Sequence, residues 1–303
     1  MEALKRLLSK YPISYREDCT LAELTTFKVG GPADLVLYPD TVEQCSAIIR
    51  TAKEAEKKLI YLGNGSNVLG EDSGCRDWIV KTDRLCALSL DERGILTVGA
   101  GVRTVKASSF AAKNGYSGLE FLHGIPGTIG GAIFMNAGAY GGVMEQIVLR
   151  TQYLNESGTL CTLEAAEHDF GYRKSFFMNH PEYLIVGCEL QLSKGDPAEI
   201  WATINDFQQR RREKQPLEFA SAGSTFKRPV GSFAGKLIED AGLKGYRVGD
   251  AQVSEKHAGF VINLGNATGA EVRQVIADVQ KKVMEQFGVE LECEVRPLGS
   301  KSF

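Results

Sequence analysis

The apolar positions of the chain change along its length between the alternating spacing of strands and the three- to four-residue spacing of helices. Near the start, strands are predicted over 34–38 and 59–62. Between them the apolar residues repeat at helical spacing after Thr41, which begins a capping box that Gln44 completes. This part of the chain therefore predicts a strand, a helix and a second strand.

The middle of the chain consists mostly of strand-like runs separated by turns. A helix is predicted over 104–114, where Gly115 ends it. The uncharged stretch 121–144 predicts turns and short buried strands. The other predicted strands cover 78–80, 95–98, 147–161 and 183–192.

A domain boundary is predicted near Gly195, because 303 residues exceed one ordinary core. A helix starts just after it, with Asp196 as N-cap and Pro197 at the first helical position. Further predicted elements are a helix over 232–241 and strands over 248–253 and 259–263. We therefore expect one domain over 1–195 and another over 196–303.

The end of the chain carries the clearest helix and the strictest alternation. Thr268 and Glu271 form a capping box at the start of a helix that Gly288 ends. A final strand is predicted over 289–296, with apolar residues on one side and charged residues, including Glu294, on the other. The mixture of helices and strands predicts an α+β fold.

Seven of the nineteen residues from 124 to 142 are glycine, and none is charged. Glycine is costly to order, so the run indicates backbone that needs positive φ or that another group approaches closely. Its proline and paired glycines exclude a membrane-spanning helix. This run, and a second glycine loop over 63–67, are interpreted as exposing N–H groups to a polyanion such as a pyrophosphate. For the run 124–142 the alternative is close packing of neighbouring elements. For the loop 63–67 it is a plain hairpin turn.

Composition and charge narrow the function classes further. A net charge of −3 and a pI near 5.9 give no electrostatic reason to expect nucleic acid or an acidic membrane surface as partner. The seven cysteines include no C-x-x-C pair and the four histidines show no ligand spacing, so free thiols and no metal are predicted. The N-terminal residues lack a signal-peptide core. We expect a cytoplasmic enzyme, and nothing in the sequence predicts an obligate protein partner.

Seven runs of the sequence, in matching order, resemble those of UDP-N-acetylenolpyruvoylglucosamine reductases, also called UDP-N-acetylmuramate dehydrogenases. They lie at 26–33, 62–69, 124–142, 171–175, 221–227, 235–239 and 291–296. Each alone is a weak signal, but together they span nearly the whole chain. No inserted segment of the kind that carries a capping tyrosine lies between Arg173 and Lys214, so the chain resembles the shorter class of the family.

The resemblance implies a fold and an activity. The fold is an FAD-binding domain of the vanillyl-alcohol-oxidase type, with lobes of about 1–68 and 69–195, followed by a C-terminal α+β substrate-binding domain over 196–303. The activity is that of a cytoplasmic flavoenzyme of peptidoglycan precursor synthesis, with FAD bound and NADPH as cosubstrate. Hydride passes from NADPH to FAD and from flavin N5 to the enolpyruvyl ether of a UDP-sugar, giving UDP-N-acetylmuramate.

Three catalytic residues are implied by the same resemblance. Hydride addition leaves negative charge beside the substrate carboxylate, and Arg173 and Glu294 are implied to hold that charge, Glu294 as a protonated donor. Ser224 is implied to protonate the second carbon. From residue patterns alone, the alternative for Arg173 is a solvated surface charge, and a turn serine is the favoured interpretation of Ser224.

The resemblance also assigns binding residues. For FAD they are Gly63, Asn64, Gly65, Ser66, Asn67, Gly124, Pro126, Gly127, Thr128, Gly130, Gly131, Asn136 and Gly138. For the substrate or the nicotinamide phosphate they are Tyr172, Lys214, Arg228 and His257, of which the last is alternatively a surface histidine. The chain departs from the family pattern at Thr25, Arg228 and Cys293, and none of these replaces an implied catalytic residue.

Two rival functions remain open. Another FAD-dependent oxidoreductase of the same cofactor fold would act on an alcohol or hydroxy acid, but would not be expected to combine Arg173, Ser224 and Glu294. A non-catalytic flavin- or UDP-sugar-binding module would need only the two glycine loops.

Overall fold

A computed structural model describes residues 2–299. They form two compact units. The first holds the segments up to Arg16, Leu35–Asn64 and Asp77–Arg210, and the second holds Glu17–Asp34, Gly65–Arg76 and the chain from Arg211 onwards. Two N-terminal segments thus fold with the C-terminal part of the chain, which the linear boundary near Gly195 did not anticipate. The functional division into 1–195 and 196–303 stays a prediction.

The helices include all those predicted and several short ones that were not. They are α1 (Glu2–Lys10), α2 (Leu21–Leu24), α3 (Val42–Glu54), α4 (Thr104–Lys113), α5 (Ile129–Phe134), α6 (Phe176–Asn179), α7 (Pro197–Lys214), α8 (Ala234–Asp240) and α9 (Gly269–Phe287). Thr41 caps α3 by accepting the Gln44 N–H at 3.2 Å. The Gln44 amide oxygen accepts instead from the Asp40 N–H at 2.6 Å, so the predicted capping box is only half formed.

The strands are mostly short, and the structure divides some predicted runs into hairpins. They are β1 (Ser14–Arg16), β2 (Cys19–Thr20), β3 (Pro32–Tyr38), β4 (Leu59–Leu62), β5 (Val68–Gly70), β6 (Cys75–Lys81), β7 (Leu88–Leu90), β8 (Ile95–Gly99), β9 (Tyr116–Ser117), β10 (Gly138–Ala139), β11 (Gly142–Val143), β12 (Val148–Leu154), β13 (Leu160–Glu164), β14 (Leu184–Gln191), β15 (Ser193–Lys194), β16 (Ala220–Ser224), β17 (Arg247–Val248), β18 (Ala251–Val253), β19 (Phe260–Asn263) and β20 (Arg296–Leu298). The run predicted as one strand over 147–161 is the start of the β12–β13 hairpin, where Asn155 and Gly158 form the turn.

Two sheets organise the first unit. One has the order β1-β3-β6-β4, with β4 and β6 parallel, and its core includes Leu37 and Ile48. The other is antiparallel, with the order β13-β12-β14-β8-β7. Its core includes Leu122, Ile129 and Phe177, so the uncharged run is buried against this sheet.

The second unit is built on the antiparallel sheet β16-β19-β18-β17. The apolar face of α9 supplies Val272, Val275 and Val279 to its core. The capping box of α9 is confirmed, because the Glu271 N–H donates to Thr268 Oγ1 at 3.2 Å and the Thr268 N–H donates to the Glu271 carboxylate at 3.0 Å.

The predicted final strand over 289–296 is wrong in its bounds. The regular strand is β20, which pairs in parallel with β5, whereas residues 289–295 are irregular. The predicted burial of Leu291 and Val295 is confirmed. The segment is not a regular strand because it forms one bridge with its neighbour, between Phe226 and Cys293, rather than a continuous ladder. Its apolar residues still alternate with charged ones along the chain.

No helix within residues 2–299 is both long and apolar enough to span a membrane. Within the same residues, His, Cys, Asp and Glu side chains form no group of three that could hold a metal ion.

His168 is fully buried in the first unit and is expected to make stability depend on pH. Its Nδ1 lies 2.9 Å from the Glu164 carbonyl oxygen and its Nε2 lies 2.7 Å from Thr151 Oγ1. Burial lowers the pKa of this imidazole below its ordinary value of 6.5, although nearby carbonyls and glutamates oppose the shift. The stability that it contributes is therefore present above pH 6.5 and is lost as the pH falls towards the lower folded-state pKa.

Urea unfolding at about pH 7.5 and about pH 5.5 measures this effect. The wild type is expected to lose up to about 1.4 kcal/mol per pH unit more than a His168→Gln variant in this window. His180→Gln, at a less buried histidine, serves as the control. Equal pH dependence in the wild type and His168→Gln would contradict the assignment.

Candidate active site

The start of the glycine-rich run is hydrogen-bonded to the first residue of α4 and to the backbone just before that helix. Thr104 Oγ1 donates to the Ile125 carbonyl at 2.5 Å, and the Gly130 N–H donates to the Ala100 carbonyl at 2.9 Å. A Cβ added at Gly130 would lie 2.9 Å from the Ala100 Cβ. Packing alone therefore explains glycine at this position, and its cofactor role stays a prediction.

The segment after Thr128 forms the helix α5, where turns and short strands were predicted. Thr128 Oγ1 caps this helix by accepting the Gly131 N–H at 3.4 Å. Gly131 is exposed, and within residues 2–299 a Cβ there would meet one atom outside the backbone of the helix, Thr128 Oγ1, at 3.6 Å. The short helix places this glycine where another molecule can approach bare backbone.

The two predicted cofactor loops meet in the first unit at Gly63 and Thr128. Any Cβ at Gly63 would clash with Thr128 Oγ1, so only glycine allows this approach. After Asn64 the loop passes into the second unit. There Gly65 has a φ of +65°, and a Cβ on it would lie 2.9 Å from the Thr25 Cα.

Lys81 is a functional candidate that sequence reasoning missed. It ends β6, pairs with Leu62 of β4, and is only 5% exposed. Its ammonium donates to the Gly63 carbonyl and lies 3.3 Å from an Asp83 carboxylate oxygen. Burial, the largest cause, lowers the pKa of this ammonium; Asp83 opposes the shift and the positive charge of Arg103 adds to it. The available signal was a lysine at the end of an otherwise buried strand.

Asn136 connects the glycine run to the turn that carries Arg173. Its side chain is buried, donates to the Gly171 carbonyl at 2.9 Å and accepts from the Glu145 N–H at 3.0 Å. Ser175 adds a second connection, donating to the Phe134 carbonyl at 2.7 Å. The Asn136 side chain therefore has a structural role, and its contact with a cofactor stays a prediction.

Arg173 lies at the tip of a tight turn in which Gly171 and Lys174 exchange backbone hydrogen bonds of 3.2 and 3.1 Å. Its φ of +52° is unusual for a residue with a side chain. The guanidinium lies 5.1 Å from the ring centre of Tyr172, which is 57% exposed. A non-glycine residue kept in this conformation is typical of a functional site.

Ser224 and Glu294 are brought close together along the backbone of the second unit. Ser224 is exposed at the end of β16, after a bulge in which Gly223 has a φ of +77°. The next residue, Thr225, is buried, and its carbonyl accepts the Glu294 N–H at 2.8 Å. Asn67 also contacts Glu294, since its side-chain amide donates to the Glu294 carbonyl at 3.2 Å.

The other predicted substrate residues differ in their surroundings. Lys214 is exposed at the end of α7, and the Arg228 guanidinium lies 4.3 Å from the ring centre of the exposed Phe233. His257 accepts the Gly259 N–H on Nδ1 at 3.1 Å. Burial lowers the pKa of His257, and the positive charges of Lys244 and Lys214 lower it further. His257 is thus half-buried, and its contact with a substrate stays a prediction.

The residues around the second glycine loop fit a bound cofactor. Thr25 is 7% exposed, and within residues 2–299 its Oγ1 has no hydrogen-bond partner. It lies against Gly65, a predicted FAD residue. A buried hydroxyl without a partner costs free energy, so an acceptor on a bound group is the expected partner. Thr25 and Gly65, both in the second unit, are thus suited to hold part of FAD.

Comparison with known proteins agrees with this geometry. The model of an FAD binding domain matches residues 33–164, and that of the UDP-N-acetylenolpyruvoylglucosamine reductase C-terminal domain matches residues 215–298. The UDP-N-acetylenolpyruvoylglucosamine reductase of Lachnoclostridium phytofermentans is 42% identical over 305 residues, covering 99% of this chain and 97% of the relative. That of Syntrophomonas wolfei is 44% identical over 282 residues, covering 93% and 94%.

Solved structures extend the comparison to the fold. The crystal structure of UDP-N-acetylenolpyruvylglucosamine reductase from Thermus caldophilus has a TM-score of 0.78 and 34% identity, covering 94% of this chain and 99% of that one. Alkyldihydroxyacetonephosphate synthase, at 15% identity and a TM-score of 0.50 over 64% of this chain and 40% of its own, shares the fold alone. The predicted α+β fold, with an FAD-binding domain of the vanillyl-alcohol-oxidase type, is confirmed. The chain belongs to the UDP-N-acetylenolpyruvoylglucosamine reductase family and is an FAD-dependent oxidoreductase.

Proposed function

We propose that the protein reduces UDP-N-acetylglucosamine enolpyruvate to UDP-N-acetylmuramate with NADPH, as a cytoplasmic step of peptidoglycan precursor synthesis. Residues 1–195 are proposed to bind FAD and residues 196–303 to bind the UDP-sugar. Membership of the family supports the reaction. The observation that carries the proposal is the bond between Glu294 and Thr225, which holds two proposed catalytic groups on adjacent segments.

When bound and reduced by NADPH, the flavin would supply the hydride that adds to the enolpyruvyl methylene carbon. Arg173 and Glu294 then hold the negative charge that develops on the substrate carboxylate, Arg173 through its planar donor fork and Glu294 as a protonated donor. Ser224 gives its proton to the neighbouring carbon, since a carbanion is basic enough to deprotonate a hydroxyl. The exposure of Ser224 leaves its hydroxyl accessible to a ligand.

A titration under anaerobic conditions tests the function as a whole. Purified protein is expected to be yellow, to bleach on adding NADPH, and to regain its colour only with the enolpyruvyl UDP-sugar. Protein that takes up no FAD would refute every flavin-dependent function. Recolouring by an alcohol-derived ketone instead would favour another oxidoreductase of the same fold.

Gly131→Ala is expected to weaken FAD binding at least tenfold (about 1.4 kcal/mol) without destabilising the protein. The added methyl fits the protein, with Thr128 Oγ1 at 3.6 Å, and alanine favours the helix α5, but the methyl occupies exposed backbone proposed to face the cofactor. FAD affinity by fluorescence quenching and the melting temperature of the apo form measure the two effects.

Gly195→Ala is the matched control, because the three atoms nearest to its Cβ would be side-chain atoms, from 3.3 Å, and it lies outside the proposed cofactor residues. Its FAD affinity is expected to equal that of the wild type. Wild-type affinity in Gly131→Ala as well would remove this glycine from the cofactor site.

A further inference from the structure

The carbonyl of Gly63 is bonded to the buried ammonium of Lys81. The described residues contain no cis peptide bond, so the peptide that joins Gly63 to Asn64 is trans. In a trans peptide the carbonyl and the following N–H point in opposite directions. A carbonyl fixed towards Lys81 therefore turns the N–H of Asn64 away from Lys81.

The direction of that N–H matters because a glycine loop binds an anion only when its N–H groups, rather than its carbonyls, face the anion. A peptide between Gly63 and Asn64 is easily inverted, since glycine tolerates both signs of φ. An inverted peptide would present a carbonyl oxygen to phosphate. Something must hold the favourable orientation, and Lys81 is placed to do so.

Burying the charged side chain of Lys81 costs desolvation free energy. Its side chain is 7% exposed, and its carboxylate partner Asp83 is 45% exposed, so the pair is only partly compensated. Arg103 adds a second positive charge nearby, which makes an ammonium at this place less favourable still. A buried lysine whose ammonium reaches a loop carbonyl is difficult to explain by stability alone, because an apolar residue of the same length is often as stable.

We propose that Lys81 is a positioning residue of the cofactor loop, holding the Gly63 carbonyl so that the Asn64 N–H faces the diphosphate of FAD. This proposal rests on the proposed function, in which FAD lies at this loop. It assigns to Lys81 no contact with FAD itself. The residue acts through the orientation of one peptide group.

The test measures the affinity of the apo protein for FAD and for riboflavin, which carries the same ring system without phosphate. Lys81→Met keeps an unbranched, flexible side chain, one atom shorter than lysine, and removes its donor. It is expected to weaken FAD binding at least about tenfold and riboflavin binding less than about threefold, because the lost N–H orientation concerns phosphate only.

Asp83→Asn is the matched control, since it removes the charge of the partner and leaves the Lys81 donor in place. Its affinity for both flavins is expected to stay within about threefold of the wild type. The melting temperature of each apo variant is recorded. If Lys81→Met does not fold, Lys81→Gln, whose end group is one atom shorter and cannot reach Gly63 in the same way, carries the same expectation.

Four results would overturn the proposal. The first is an FAD affinity of Lys81→Met equal to that of the wild type, and the second is equal weakening of FAD and riboflavin binding, as a general loss of structure would give. The third is tightening of FAD binding in Asp83→Asn by as much as Lys81→Met weakens it, because that pattern would indicate attraction by net charge. The fourth is wild-type protein that binds neither flavin, which would refute the proposed function as well.

Discussion

Replacing Ser224 by alanine is expected to slow reoxidation of the reduced enzyme by the UDP-sugar about 10²- to 10⁴-fold, the usual contribution of a positioned proton donor. Reduction of the enzyme by NADPH is expected to keep its wild-type rate, because no proton from Ser224 is needed in that half-reaction. Stopped-flow measurement of flavin absorbance, with each half-reaction followed separately, gives both rates.

The structure indicates that this variant should fold. Ser224 is exposed, whereas its neighbour Thr225 carries the buried hydroxyl, which accepts the Val261 N–H at 3.0 Å. Ser221→Ala is the matched control, at a serine three residues earlier in the same strand, and it is expected to leave both half-reactions near wild type. Equal slowing of both half-reactions in Ser224→Ala would count against the proton-donor role.

Sequence reasoning predicted best the elements whose signals are local. The helix α9 is specified by a capping box at Thr268 and by Gly288, whose φ of +65° and N–H bond to the Met284 carbonyl end the helix. The helix α7 begins as predicted at Pro197, and the Asp196 carboxylate accepts the Ala198 N–H at 2.8 Å. Caps and stops need only neighbouring residues, so pattern alone locates them.

Features that depend on distant partners were not predictable in this way. The bounds of the last strand follow from β5, more than 200 residues earlier, which pairs with Arg296–Leu298 and not with the residues before it. The assignment of 17–34 to the second unit is likewise set by packing, with Phe27 and Val29 in the C-terminal core. Neither residue type nor spacing in those segments indicates this packing.

The candidate site shows the same division between local and distant information. Glycine content indicated both candidate cofactor loops, and the family resemblance indicated Ser224 and Glu294 as candidate catalytic residues. The meeting of Gly63 with Thr128, and the role of Lys81, depend on the pairing of β4 with β6 and on the turn that follows. A charged residue that ends a buried strand is an ambiguous signal until its partner is known.

Glu294 can be tested in a way that separates hydrogen-bond donation from charge. Glu294→Ala is expected to lower the rate of the substrate half-reaction about 10²- to 10³-fold, as removal of one donor to a developing oxyanion does. Glu294→Gln is expected to keep most of the wild-type rate, because its amide N–H donates as the protonated carboxyl group would. Loss of activity in both variants, or full activity in Glu294→Ala, would contradict the proposed donor.

The backbone hydrogen bonds of Glu294 are expected to persist in both variants. Its N–H and carbonyl are bonded to Thr225 and Asn67, and these bonds do not involve the side chain that is changed. Glu292→Ala is the matched control, two residues earlier on the same segment, where the exposed carboxylate pairs with Lys227. An exposed ion pair contributes at most about 1 kcal/mol to stability and touches none of the proposed chemistry, so this control is expected to turn over like the wild type. A drop in Glu294→Ala alone, recovered in Glu294→Gln, would therefore assign the effect to a donor at that one position.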